Sequence, residues 1–202
     1  IAAETAPEFC SMMVRCDAHS IYPENFILSV CETMDRTGAA SVVVPMDAVG
    51  EGCFQSANAW VVDSPVGSGG SAHRGGTYSG YVDHGHHAAF NRAVYLRVGG
   101  YDENFSHNED AEYDYRIGKL GYKVYMDADA RIQYMPRNTA RGLWRQYFNY
   151  GKGRAKNLKK HNGRPRLRQA APLLNFLMIL ASIIGAGVWG AFGPQEGVWR
   201  LV

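Results

Sequence analysis

The sequence contains few cysteines and few signs of a secreted protein or of a domain that is stabilised by a structural metal ion. Only four of its 202 residues are cysteines, and Cys10, Cys16, Cys31 and Cys53 form no C-x-x-C pair. This spacing argues against a structural zinc module. The glycines have no regular period, which excludes a collagen-like chain, and residues 1–20 never form the apolar core of a signal peptide. The net charge of +2 is too small to create a field that would recruit nucleic acid.

The hydrophobic content is high enough for a folded domain. Hydrophobic residues make up 46% of the chain, so we expect one domain with a substantial core rather than a disordered segment. The chain begins at Ile1 without a methionine and ends soon after an apolar stretch. We therefore expect it to be a piece of a longer protein.

Charge is distributed unevenly near the C-terminal end. Residues 152–168 carry eight cations and no acid, and residues 169–195 carry no charge at all. About 20 apolar residues suffice to cross a bilayer core, and a preceding basic cluster follows the positive-inside pattern. The pattern predicts a transmembrane helix within residues 169–195, with residues 1–168 on the cytoplasmic side. The alternative is a buried hydrophobic helix.

The remaining chain alternates between strand-like and helix-like segments. We predict strands over residues 41–46, 81–90 and 122–126, and helices over residues 108–120 and 139–160. Such alternation is typical of an α/β domain. The expected organisation is a catalytic domain over 1–138, an amphipathic and basic juxtamembrane region over 139–168, and the membrane helix over 169–195.

Asp17 and His19 follow an apolar run that we predict to be a strand. In an extended segment, residues i and i+2 point to the same side, so the two side chains could bind one ion. A carboxylate with an imidazole suits Mg²⁺ or Mn²⁺. An ordinary turn at a strand end is the alternative interpretation.

A second acidic group stands at the predicted start of a helix. Acids in a first turn are favourable for the helix dipole without any function. However, Glu109 and Asp110 are adjacent and repel each other, and a helix N-terminus tends to keep a carboxylate ionised. An ionised carboxylate is suited to act as a general base.

Two further groups could line a substrate cleft. His84, His86 and His87 could suggest a zinc site, but His86 and His87 should point to opposite faces of a strand, so a cleft lining is the better interpretation. Gln146 and Arg154 lie in an aromatic and basic segment. They could face either lipid headgroups or a cleft that takes a sugar and a phosphate.

Taken in order, these motifs resemble the inverting glycosyltransferases of family 2, which use nucleotide sugars and have the GT-A fold. Within that family the likeness is strongest to the succinoglycan-biosynthesis-type glucosyltransferases of bacterial exopolysaccharide assembly. The likeness covers roughly residues 9–168 and rests on these segments: Arg15-Cys16-Asp17-Ala18-His19-Ser20 with Tyr22-Pro23, residues 67–74, residues 82–90, residues 98–103, Asn108-Glu109-Asp110-Ala111-Glu112, and residues 147–154.

The resemblance implies both a fold and a reaction. The fold would be the C-terminal, acceptor-side half of a Rossmann-like GT-A domain, with the N-terminal nucleotide-binding half missing and negligible activity on its own. The reaction would transfer one sugar, with UDP-glucose as the family-level donor, to a lipid-linked oligosaccharide at the bacterial plasma membrane. The catalytic domain would be cytoplasmic, and no nucleic acid would be involved.

The resemblance also implies roles for individual residues. Asp17 and His19 occupy the place of the D-x-D motif that holds a divalent cation, Mg²⁺ or Mn²⁺, with His replacing the second Asp. Asp110 matches the general base, and Glu109 beside it would orient or bind the acceptor. Gln146 and Arg154 would contact the donor phosphate or the acceptor. The rival hypotheses are a non-catalytic carbohydrate-binding or assembly module derived from such an enzyme, and a metalloprotein built on the histidine cluster.

Overall fold

In a computed structural model the chain forms two units, residues 1–163 and residues 164–202. The structure describes residues 2–71, 73–164 and 167–192. The elements in chain order are α1 (Ala2–Thr5), β1 (Met12–Val14), β2 (Ser20–Ile21), α2 (Phe26–Thr37), β3 (Ser41–Val44), β4 (Met46–Ala48), α3 (Gly52–Asp63), α4 (Pro65–Ser68), β5 (Gly80–Val82), β6 (His86–Asn91), α5 (Arg92–Val98), α6 (Glu109–Lys119), β7 (Val124–Met126), β8 (Ile132–Tyr134), α7 (Ala140–Lys160) and α8 (Leu167–Phe192).

A five-stranded mixed sheet forms the centre of the first unit, in the order β1-β6-β3-β7-β5. Only β3 and β7 are parallel among its pairs. All four residues of β3 are buried, and its three valines divide between two apolar clusters. Val42 and Val44 pack with α2, whereas Val43 packs with Ile117 of α6. Burial on both faces explains why this strand is a continuous apolar run, and the predicted mixed α/β class is confirmed.

The predicted strand over residues 81–90 is instead two strands, β5 and β6, separated by residues 83–85. In the sheet these strands lie on opposite sides of β3 and β7, so the segment between them must cross both. A Cβ on Gly85 would lie 2.7 Å from the Val43 Cβ and 3.3 Å from the Met126 Cε. Glycine therefore allows the crossing segment to pass closely over the sheet, and this segment carries His84.

The second unit contains one described helix, α8, where the sequence predicted a membrane-spanning helix over 169–195. The helix is present but begins earlier, at Leu167, and residues 193–195 lie outside the described residues. Large apolar side chains along it are exposed, including Phe176, Met178 and Trp189. Within the described ranges, no helix combines the length and apolar character needed to span a membrane. The transmembrane assignment is therefore not supported.

Helix α7 approaches α6 closely at Gly153. Gly153 is the buried residue of α7, and a Cβ there would overlap the His107 carbonyl oxygen and lie 2.8 Å from the Asn108 Cβ. Asn108 is the N-cap of α6 and adopts a left-handed backbone conformation, with φ of 66°. The missing side chain of Gly153 thus lets α7 contact the turn that precedes Asp110.

We expect Gly153→Ala to destabilise the fold by about 1–3 kcal/mol, because the added methyl group must displace backbone atoms at the start of α6. Gly151→Ala is the matched control, since nothing lies within 4 Å of its added Cβ. That variant should instead stabilise α7 by about 0.5–1 kcal/mol, because alanine is the better helix former. Urea unfolding measures both changes, and equal effects at the two positions would contradict the proposed packing.

Candidate active site

The candidate site lies at the carboxyl edge of the parallel strands β3 and β7. The crossing segment with His84 passes over Val43 and Met126 at this edge. Asp17 comes from the segment after β1, and Asp110 lies in the first turn of α6. Open α/β sheets bind ligands at the carboxyl ends of their strands, so the edge is a suitable place for a site.

Asp17 is in direct contact with His86, a residue that the sequence separates from it by nearly 70 positions. The His86 Nε2 atom lies 3.5 Å from the Asp17 Oδ2 atom. The other carboxylate oxygen accepts a hydrogen bond of 3.0 Å from the Arg15 guanidinium. Burial lowers the pKa of His86 to about 4, although the charges of Asp17 and Asp110 oppose the shift. His86 is therefore a neutral imidazole at pH 7.

Asp110 lies close to the same group of side chains. Its charge raises the pKa of both His84 and His86, so its carboxylate lies within electrostatic range of both imidazoles. Its Oδ1 atom accepts a hydrogen bond of 2.7 Å from the Ala111 backbone N–H. Asp17, His84, His86 and Asp110, each singled out from the sequence, therefore form one group of interacting side chains, which we take as the lining of the candidate cleft.

Glu109 is less closely connected to this group. It is half-buried in the first turn of α6, and it makes no hydrogen bond or ion pair with another described residue. Its role as an acceptor ligand stays a prediction that follows only from its position beside Asp110.

His19 does not adopt the geometry expected from the sequence. Strand β1 ends at Val14, and the Ser20 backbone N–H donates to the Asp17 carbonyl oxygen at 3.2 Å. This closes a turn over residues 17–20, so the i and i+2 rule for extended strands does not apply, and that part of the prediction is wrong. The exposed His19 ring instead lies 5.9 Å from the Tyr134 ring, measured between centroids.

Gln146 belongs to a group of residues that includes Tyr134. Its side-chain amide donates to the Tyr134 hydroxyl at 3.0 Å and to the Tyr150 hydroxyl at 2.8 Å. The guanidinium carbon of Arg74 lies 4.7 Å from the centroid of the same Tyr134 ring. This arrangement of an amide, aromatic rings and a cation is suited to contact a sugar ring.

Arg154 lies on α7 near the histidine side of the cleft. Its charge opposes protonation of His84 and so lowers the pKa of that imidazole. Arg154 and Gln146 are therefore contributed by the same helix, one near His84 and the other at Tyr134. A cation at this position could contact a phosphate.

The three histidines of the cluster do not all have the same partner. His84 and His87 both bind Asp114, whereas His86 contacts Asp17. Across the described part of the chain, no group of three or more His, Cys, Asp or Glu side chains is arranged to hold a metal ion. The interpretation of these histidines as the lining of a substrate cleft stays a prediction.

The sequence assigns no individual role to four residues of this network, Arg15, His87, Tyr101 and Asp114, although it places His87 with the histidines that could line a cleft. Asp114 is 1% exposed and accepts from both His84 and His87. One signal was present in the sequence, because Asp114 stands four residues after Asp110 and so shares its helix face. The other three contacts join distant parts of the chain and leave no local pattern.

Comparison with known proteins finds a relative of this chain among the proteins of succinoglycan biosynthesis. It is similar to the succinoglycan biosynthesis protein ExoA of Rhizobium meliloti (strain 1021), with 45% identity over 199 residues that cover 94% of this chain. The resemblance found in the sequence is thereby confirmed. The chain spans about 60% of the length of that relative.

Comparison with family models and with solved structures adds two findings. No family model matches the sequence. A structural alignment with the crystal structure of GalNAc-T7 with UDP, GalNAc and Mn²⁺ covers 81% of this chain and 40% of the GalNAc-T7 chain. The TM-score is 0.47 and the sequence identity is 15%.

Proposed function

We propose that the protein containing this chain is an inverting family 2 glycosyltransferase of GT-A type. It would transfer a sugar, with glucose from UDP-glucose as the first candidate, to a lipid-linked oligosaccharide during exopolysaccharide synthesis. The similarity to a succinoglycan biosynthesis protein supports the pathway. The observation that supports the activity is the contact of His86 with Asp17, together with the charge of Asp110 acting on both His84 and His86.

In the proposed reaction Asp110 is the general base. Its carboxylate takes the proton of the acceptor hydroxyl while that oxygen attacks the anomeric carbon of the donor sugar. The new carbon–oxygen bond forms as the bond to the diphosphate breaks, and the nucleoside diphosphate leaves with the electron pair. The opposed positions of base and leaving group invert the anomeric configuration.

We propose Asp17 and His19 as ligands of a divalent cation, Mg²⁺ or Mn²⁺, because they match the D-x-D motif in position; the turn over residues 17–20 removes the extended geometry as a second argument. The donor types fit such an ion, which would complete its coordination with diphosphate oxygens. A bound cation would neutralise charge on the leaving diphosphate. The Arg15 guanidinium, 3.0 Å from Asp17, already supplies one positive charge on that side of the cleft.

The other cleft residues are assigned to binding. Gln146, with its two tyrosine partners, would contact a sugar, and Arg154 would contact a phosphate. His86 is neutral and would exchange hydrogen bonds with the substrate, while Glu109 would bind or orient the acceptor beside Asp110. The reaction would take place at the cytoplasmic face of the bacterial plasma membrane.

The nucleotide base and ribose would be bound by the part of the relative's length that this chain does not cover. We therefore infer that this chain alone has negligible turnover. The intact gene product is the appropriate material for any assay of activity.

The experiment is a transfer assay with radiolabelled UDP-glucose and a lipid extract that contains the oligosaccharide acceptor. We expect label in the lipid fraction only with the intact gene product and a divalent cation. Omission of the lipid extract is the control for hydrolysis. If none of a panel of nucleotide sugars transfers label to lipid, the proposed activity is contradicted.

The second candidate is a non-catalytic carbohydrate-binding or assembly module. The contact that favours it is the pairing of Asp17 with Arg15, since an internal cation could replace the metal. This candidate predicts that the intact gene product binds the lipid-linked oligosaccharide without consuming any nucleotide sugar. The same assay, with binding measured in parallel, separates the two candidates.

A further inference from the structure

Asp114 is a buried carboxylate for which the proposed reaction has no role. It lies one helical turn after Asp110 on α6, and its side chain is 1% exposed. One oxygen contacts the His87 Nε2 atom at 2.7 Å, and the other contacts the His84 Nδ1 atom at 2.8 Å. A buried charge is costly unless it is paired, so both imidazole contacts stabilise its ionised form.

The hydrogen bonds continue from His87 to the other side of the cleft. The His87 Nδ1 atom lies 2.6 Å from the Tyr101 hydroxyl, which accepts a hydrogen bond of 3.2 Å from Arg15. Tyr101 therefore has its proton available to donate to His87. His87 then carries its own proton on Nε2 and donates it to Asp114. Every donor in this series of hydrogen bonds has an acceptor. The series therefore fixes the orientation of the Tyr101 and His87 rings.

His84 differs from the other two histidines of the cleft. Its ring is 32% exposed, and its Nε2 atom makes no hydrogen bond within the described residues. With Nδ1 held by Asp114, the opposite ring nitrogen is the one available to a ligand.

The charges around His84 come from three directions. Asp110 and Asp114 face it from α6, Arg154 faces it from α7, and His73 contacts it from the segment before β5. Burial and Arg154 lower the pKa of His84, but the hydrogen bond to Asp114 and the two carboxylate charges outweigh them and raise it. Burial holds the pKa of His73 well below its usual value. His84 therefore carries a proton more readily than His73 or His86 does.

We propose that Asp114 is a positioning residue that fixes His84 with Nδ1–H directed inward and Nε2–H available to an anionic phosphate oxygen of the substrate. Arg154, on the same side, supplies a second cation for that oxygen. The proposal rests on the proposed glycosyl transfer for the origin of the phosphate, which belongs either to the nucleotide sugar or to the lipid-linked acceptor.

The first test needs neither activity nor a variant. Imidazole ¹H–¹⁵N spectra of the 202-residue chain report the tautomer and titration of each histidine. We expect His84 to carry its neutral-form proton on Nδ1 and to titrate above about 6.5, the ordinary value. Added inorganic pyrophosphate should shift the His84 Nε2 signal. A proton on Nε2 in the neutral form, a titration below 6.5 or no response to pyrophosphate would overturn the proposal.

The second test uses Asp114→Asn, with Asp129→Asn as the matched control because Asp129 is exposed. Loss of the carboxylate should lower the pKa of His84, and each unit of that decrease reduces the protonated fraction about tenfold above the pKa. In the intact gene product we therefore expect a KM about tenfold higher at pH 7.5, with recovery toward the wild-type value at pH 5.5.

The substrate whose KM changes identifies the source of the phosphate. A change for UDP-glucose assigns it to the donor, and a change for the lipid-linked acceptor assigns it to the acceptor. A loss that is the same at both pH values indicates a purely structural role and would overturn the proposal, as would an unchanged KM for both substrates. If Asp114→Asn does not fold, the wild-type spectra decide, and these stay informative even if no sugar transfer is found.

Discussion

Asp110→Asn should reduce kcat of the intact gene product by about a thousandfold, within the range of 10²–10⁴ that a general base contributes. The amide cannot accept the proton of the acceptor hydroxyl. It does retain an oxygen that can accept from the Ala111 N–H, the bond of 2.7 Å seen for the carboxylate. The start of α6 should therefore keep its conformation, and the KM for the nucleotide sugar should change by less than about threefold. Initial-rate kinetics with UDP-glucose measure both quantities.

Glu109→Gln is the control for this prediction. It removes a neighbouring carboxylate of the same helix turn, one that makes no hydrogen bond or ion pair with another described residue. We expect its main effect on the acceptor KM rather than on kcat. A kcat for Asp110→Asn within threefold of the wild type would contradict the assignment of the base.

Glu112→Gln should destabilise the fold by about 3 kcal/mol, because it removes the one carboxylate that several cations share. Glu112 is fully buried and contacts Arg116 at 2.8 Å, Lys160 at 2.6 Å and His161 at 3.0 Å. Arg116 in turn donates to the Gly100 carbonyl oxygen at 2.5 Å. The variant should therefore also loosen the turn that carries Tyr101. Denaturant unfolding at pH 7 measures the change.

The acid dependence gives a further check on Glu112. Although burial raises its pKa, the hydrogen bonds from Arg116, Lys160 and His161 outweigh this and lower it. A carboxylate with a lowered pKa stabilises the fold above its unfolded pKa and loses that contribution as pH falls through the folded value. The difference between wild type and Glu112→Gln should therefore shrink below about pH 4. Glu103→Gln, at an exposed position, should change stability by less than about 0.5 kcal/mol.

Local patterns predicted much of the fold. The continuous apolar run at β3 is typical of a strand buried on both faces, and the structure buries all four of its residues. The start of α6 was predicted from the acids of its first turn, and the helix begins at Glu109. In these segments the local preference and the tertiary packing agree, so the sequence alone suffices.

The errors arose where the chain changes direction. The alternation over residues 81–90 resembles one strand, but the segment crosses β3 and β7 between its two halves. The crossing depends on the space that Gly85 leaves over Val43, which only the folded sheet reveals. Likewise, the turn at residues 17–20 separates His19 from the extended geometry that we expected.

Apart from the spacing of Asp114 from Asp110, the network behind the candidate site leaves no signal in the sequence. Asp114 binds His84 and His87 across 30 and 27 positions of sequence. These pairs form because the folded sheet brings the segment with His84 and His87 next to α6. No rule based on residue spacing predicts them. The four residues Asp17, His84, His86 and Asp110 were found because they stand in three local motifs, with His84 and His86 sharing one.

The central claim is that this cleft transfers a sugar to a lipid-linked saccharide. Mass spectrometry of lipid-linked oligosaccharides tests it most directly, in cells that carry the intact gene, its Asp110→Asn variant or a deletion. We predict that the variant and the deletion accumulate the same intermediate, which is one sugar residue shorter than the first product made with the intact gene. Identical oligosaccharides in the variant and the wild type, with the protein present at equal levels, would contradict the claim.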